Sequence, residues 1–197
     1  MAPHAQPTRR ADARRNIERI LDAALAELTH DPEASMGAVA RRAGVARATL
    51  YVHFPTREAL VDAVTERAIA ESAEAIRGAH PDAGEPDEAL ARILRAAWRM
   101  LGRYHALVAI NLRREHDELT ALHEPVLGLL RPVVERGAAT GAFNPDVPAE
   151  WLLTVLLELV HAASRDVSAG RLADDVAERA LVATALGAVS GRTSSPA

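Results

Sequence analysis

Residues 35–60 read SMGAVARRAGVARATLYVHFPTREAL, and the fold turns on how this stretch is punctuated. Ser35 is a helix-capping residue type placed just before a short periodic segment carrying Met36, Val39 and Ala40. Gly44 closes that segment, because glycine enters the left-handed region without a Cβ penalty and lets the chain turn sharply. A second short helix is predicted from about Arg47 to His53, and Pro55 stops it. Thr56 then caps a longer helix reaching about Ile76, with Glu58 early in it where an acid meets the positive helix end. Two short helices joined by a tight glycine turn outline a helix-turn-helix. Val39, Ala40, Val45 and Leu50 form its miniature core. Arg47, Ala48, Thr49, Tyr51 and His53 are left mainly on the outer face, where they can reach a DNA groove.

Working outward, residues 1–11 are Pro-rich and polar and read as a flexible arm. A first helix is expected from Asp12 to about Thr29, its apolar face formed by Ile17, Ile20, Leu21, Ala24, Leu25 and Leu28. Downstream, GAHPDAGEPDE at residues 78–88 is a loop by composition. Helical periodicity returns at 89–114, and again at 119–140 with expected interruptions near Pro125 and Pro132. After a loop at 141–148, two helices are expected near 149–167 and 172–189, and residues 191–197 form a loose tail. Alanine is abundant and runs of strand-favouring residues are rare, so the fold class is all-α. The implied division is a DNA-binding domain at 12–60 and a ligand-sensing and dimerisation domain at 61–190.

Composition bounds the function classes. All 23 basic residues are Arg, and there is no Cys, which excludes disulfides and thiolate metal sites. No apolar run has the length of a membrane span or a signal-peptide core, so a cytoplasmic location is expected. The net charge of -4 hides an asymmetry: residues 1–60 carry nine Arg and seven acids, and residues 61–197 fourteen Arg and twenty acids. A basic head on an acidic body suits a protein that presents one end to a polyanion.

The segment VARRAGVARATLYVHFPTREAL, preceded by RILDAALAEL, closely resembles the TetR (tetracycline-repressor-like) family. Thr49 to Leu60 is the most diagnostic run. The later AATGAFNPDVPAEWLL and LVHAASRDVSAGRL also resemble segments of that family's C-terminal domains. The resemblance implies that Arg47 and Thr49 face bases and backbone from the recognition helix. It implies that Tyr51 and His53 hydrogen-bond phosphates, and that Arg57, where the family usually has Lys, grips a phosphate near the start of the fourth helix. Phe54 is then a core wedge. Ala46 departs from the pattern, standing where a capping Ser is usual, and Gly37 is an unfavourable residue inside a helix. Arg41 and Arg42 read either as phosphate contacts or as solvated surface. Arg9, Arg10, Arg14 and Arg15 read either as a minor-groove arm or as a solubilising tail.

The run from Trp151 to Val160 is apolar almost all round and must be covered on more than one side. The last helix offers Ala177, Ala180, Leu181, Thr184, Ala185 and Ala188, which permit close approach. Two such helices from each of two chains would build a four-helix bundle, and the resemblance implies a homodimer reading an inverted repeat of double-stranded operator DNA. Trp98, Tyr104, His105, Asn111, His116, His123 and His161 stand among apolar residues and are candidate lining for a small-molecule effector pocket. No cofactor and no metal are expected. The alternatives are an architectural helix-turn-helix protein without a ligand, and a helical metal-dependent enzyme. The latter would use the Glu158–His161 spacing of carboxylate-bridged bundles.

Overall fold

The computed structural model describes residues 6–111 and 113–190, the side chains of residues 6–11 and of His116 excepted. The expected tail at 191–197 and the first five residues of the expected arm lie outside the described residues. The described chain is built of α-helices: α1 Gln6–His30, α2 Met36–Ala43, α3 Arg47–His53, α4 Arg57–Gly78, α5 Pro86–Leu101, α6 His105–Asn111, α7 His116–Thr140, α8 Ala149–Ser168 and α9 Asp174–Val189. It divides into two compact units, with the boundary between Arg67 and Ala68, inside α4.

In the first unit the predicted α1 face is buried: Ile20, Leu21, Ala24, Leu25 and Leu28 pack inward. The helix begins at Gln6 rather than Asp12, so the expected arm is helical from Gln6 onward. Pro7 falls in the first turn, where no intrahelical partner awaits its missing N–H. The turn chemistry matches the sequence. Ser35 Oγ accepts from Ala38 N at 3.3 Å, Gly44 is left-handed at φ 64°, and Thr56 Oγ1 accepts from Ala59 N at 3.1 Å. Ala46 offers no side-chain cap to α3.

The second unit holds a core in which Leu90, Ile93, Leu94, Val134, Leu153 and Leu156 are buried together. Two expectations fail here. The helix expected at 89–114 starts at Pro86, a favoured first-turn residue, and breaks after Leu101. Gly102 and Arg103 form the turn that follows, and Tyr104 N donates to Leu101 O at 2.7 Å. By contrast, α7 runs unbroken through Pro125 and Pro132. Both prolines are exposed, and so are Ala121 and Gly128, whose carbonyls lose their partners four residues on, so water can serve them. Leu127, Leu130, Val133 and Val134 hold the opposite face in the core.

In α8, Leu152, Leu153 and Leu156 are buried while Trp151 is 61% exposed. The small residues of α9 divide between two faces. Ala177, Leu181 and Ala185 are buried within the chain, and Ala180, Thr184 and Ala188 are exposed.

Candidate nucleic-acid interface and effector cavity

Helix α3 turns one face inward. Leu50 is fully buried and Phe54, just past the helix, is buried with its N–H on Leu50 O at 2.8 Å. The residues pointing away follow from that anchor: Arg47, Ala48, Tyr51 and Val52 are exposed, while Thr49 and His53 are half-buried. His53 tilts against Phe54 with ring centroids 6.4 Å apart. The sequence reading passed over Val52, which is 78% exposed and is the most open large apolar side chain described. Its signal was available: it is one turn from Ala48 and on the side opposite Leu50.

Three arginines fix the frame around this helix. Arg19 of α1 reaches Ala43 O at 2.6 Å and so serves an orphan carbonyl at the C-terminus of α2. Arg42 pairs with Glu27 of α1 at 2.5 Å, while Arg41 is exposed. Arg57 is half-buried: Nη2 donates to Pro32 O and Nε to Ala34 O at 3.5 Å, with Glu33 at 3.9 Å. Its guanidinium therefore tethers the α1–α2 turn. Thr56 is exposed and occupied as the α4 cap. Near the start of α1, Arg14 pairs with Glu18 and Arg15 with Asp12, all exposed.

Gly37 acquires a reason in the same place. A Cβ added there would stand 2.5 Å from Arg47 Nη2 and 3.0 Å from its Cζ. The Arg47 side chain thus lies across α2 over the glycine, which trades helix propensity for that close approach.

The second unit contains a cavity of about 90 Å³. Ile69 and Ser72 of α4, Leu94 of α5, Val108 of α6, Leu130 of α7 and Leu156 of α8 are among its walls, and His123 and His161 complete one part of it. The two imidazoles meet edge to face with centroids 5.2 Å apart. His123 Nδ1 lies 2.8 Å from Leu119 O. A carbonyl only accepts, so that nitrogen carries the proton. His161 is 3% exposed, and its Nδ1 makes no hydrogen bond, with Glu158 Oε1 3.5 Å away. Burial pushes His161 down to about 4, the charge of His123 adds to the effect, Glu158 opposes it and Arg165 contributes weakly. Burial also lowers His123, against the opposing pull of Leu119 O and Glu158. Both rings are neutral near pH 7.

Trp98, Tyr104, His105 and Asn111 are not among the described walls of this cavity. Trp98 is 1% exposed and packs with Ala177 and Leu181. Tyr104 is fully buried, donating to Glu71 Oε2 at 2.7 Å beneath Arg103. Asn111 is buried and accepts from Arg114 Nε at 2.9 Å. His105 lies 5.0 Å from the Trp98 ring, with Nδ1 2.7 Å from Ser164 Oγ and Nε2 3.4 Å from Asp174. Ser164 is fully buried, and this chain of polar contacts ties α6, α8 and α9 together, ending at the exposed Asp174. The side chain of His116 lies outside the described residues. These residues are polar partners inside the packing, and the sequence pattern could not separate them from cavity walls. Among the described residues no group of three His, Cys, Asp or Glu is placed to hold a metal ion, and no helix is long and apolar enough to cross a membrane.

Comparison with known proteins converges on the first unit and extends beyond it. Residues 20–64 match the family described as bacterial regulatory proteins, tetR family. An HTH-type transcriptional regulator of Mycobacterium tuberculosis is 31% identical over 179 residues, covering 84% of this chain and 81% of that protein. The HTH-type transcriptional repressor NicS of Pseudomonas putida is 28% identical over 141 residues, spanning 66% of each protein. The solved TetR-like regulator LfrR of Mycobacterium smegmatis superposes with a TM-score of 0.67 at 25% identity, covering 90% of this chain and 98% of that one. With a helix-turn-helix whose outer strip is solvent-facing and relatives aligned over both units, the chain belongs to the TetR family of bacterial transcriptional regulators.

Proposed function

We propose that the chain acts as a ligand-responsive repressor: a homodimer that binds an inverted-repeat operator and is released by a small-molecule effector. The carrying observation is the outward strip of α3, where Arg47, Ala48, Tyr51 and Val52 stand exposed on a helix anchored by Leu50. Arg47 is the base reader in this reading. Thr49, Tyr51, His53, Thr56 and Arg57 hold the backbone, and Val52 offers an apolar contact of the kind thymine methyls accept. Dimerisation uses the exposed faces of α8 and α9, where Trp151, Val176, Ala180, Thr184 and Ala188 lack cover within the chain. The effector enters the cavity of the second unit. NicS is a repressor by name and LfrR was solved with proflavine, which supports both halves of the reading.

Selection of bound fragments from a genomic pool by the purified chain tests it. The expected result is one inverted repeat with half-sites about 34–36 Å apart, one helical turn. Arg47→Ala is expected to relax choice at particular base pairs by about 1–3 kcal/mol, leaving other positions unchanged. A chain with no preference for any duplex at low ionic strength would end the proposal. A chain that binds its repeat but is released by no compound in a broad screen would be an architectural protein instead.

A further inference from the structure

The cavity of the second unit says what kind of molecule it takes. Among the described residues no Arg, Asp or Glu is on its wall, and the polar side chains there are Ser72, His123 and His161. A carboxylate or a quaternary ammonium would have to be desolvated there with no opposite charge to meet it, at a cost of several kcal/mol or more. Glu158 and Arg165 are near His161, but Glu158 is half-exposed, Arg165 is exposed, and neither lines the space. The ring nitrogens set the polarity of the remaining contact. His123 spends its proton on Leu119 O, so its Nε2 keeps a lone pair. The one carboxylate beside His161 Nδ1, at 3.5 Å, favours the proton on that nitrogen, which leaves its Nε2 an acceptor as well. Two neutral rings, each with an Nε2 lone pair and no charge, therefore stand with Ser72 in a wall that is otherwise hydrocarbon.

We propose that the effector is an uncharged, largely hydrocarbon molecule carrying one hydrogen-bond donor, such as a phenolic or alcoholic hydroxyl, received by the imidazoles of His123 and His161. This rests on the ligand-responsive reading above. A dry apolar cavity of about 150 Å³ accepts benzene, so the present 90 Å³ admits a ring only by spreading its aliphatic walls. The bound state is accordingly a different packing of the second unit, which is what release of DNA requires.

The test is calorimetry on the full chain with four probes of similar size: 4-ethylphenol, 4-ethylanisole, 4-ethylbenzoate and 4-ethylbenzylammonium. Binding of 4-ethylphenol is expected to be about tenfold tighter than that of 4-ethylanisole, which lacks the donor, with the two ions undetected. His123→Leu, checked for a cooperative melt, is expected to close the phenol–anisole gap. The wild-type ranking decides the matter if that variant does not fold. Equal binding of phenol and anisole, binding of either ion as tight as the phenol, or no binding of any probe overturns the assignment. An operator-release screen separates the two levels. Release by some other compound while all four probes fail removes this ligand class and leaves a ligand-responsive regulator, whereas release by nothing removes the regulator reading itself.

Discussion

Arg47 and Arg57 illustrate how a single side chain can serve the frame before it serves DNA. Arg57 is bound to carbonyls of the α1–α2 turn, so Arg57→Ala is expected to lower stability by about 1 kcal/mol, read as a lower urea midpoint, in the absence of any DNA. Arg47 rests over Gly37. Gly37→Ala removes an unfavourable helix residue, a gain of about 0.5–1 kcal/mol, and displaces only the far end of a flexible side chain. The melting temperature is therefore expected to hold or rise, while preference among operator variants shifts as it does in Arg47→Ala. An unaltered preference would show that the seat over Gly37 has no part in reading. Gly37 looked like a flaw in the sequence because its partner lies on another helix. Arg19, which serves Ala43 O from α1, was illegible for the same reason. The caps Ser35 and Thr56 and the turn at Gly44 were legible because each acts within a few residues of itself.

Among the elements, α7 shows where propensity loses to packing. Its two prolines predicted interruptions, yet their side of the helix faces water and the other side is locked into the core. The break between α5 and α6 ran the opposite way: periodicity continued across Gly102, but the chain turns there and Tyr104 is buried on Glu71. Neither outcome was decidable without knowing which face was covered. Gly137 is the sharper case. An added Cβ would lie 2.1 Å from Phe143 Cδ2 and 2.5 Å from Cγ, and Phe143 is 1% exposed with nowhere to move. Gly137→Ala is expected to cost about 1–3 kcal/mol or more despite its better helix propensity, measured by chemical unfolding. A variant as stable as the parent would mean that the α7–Phe143 contact is looser than drawn.

At the scale of the whole molecule, acid and assembly are the variables. Burial lowers His161 from 6.5 to about 4, and lowers His123 and His105 as well. The unfolded chain takes up protons first, so stability is fully present above about 6.5 and is lost as pH falls toward about 4. Unfolding free energies from urea titrations at pH 7 and pH 5 are expected to differ by an amount on the order of 1–2 kcal/mol for His161, and His161→Leu should flatten that dependence. Assembly is tested on α9: Ala180→Arg puts a charge on the exposed small-residue face. In sedimentation it is expected to give a monomer with an intact melt and weak operator binding. A dimeric Ala180→Arg would move the interface elsewhere.

The void between α4 and α8 also makes this protein a barometer. Unfolding eliminates internal empty space, so compression favours the unfolded chain, and whatever part of this 90 Å³ is closed to water adds to that volume change. Under hydrostatic load the second unit would give way early, and a molecule seated in the void would raise the pressure it withstands.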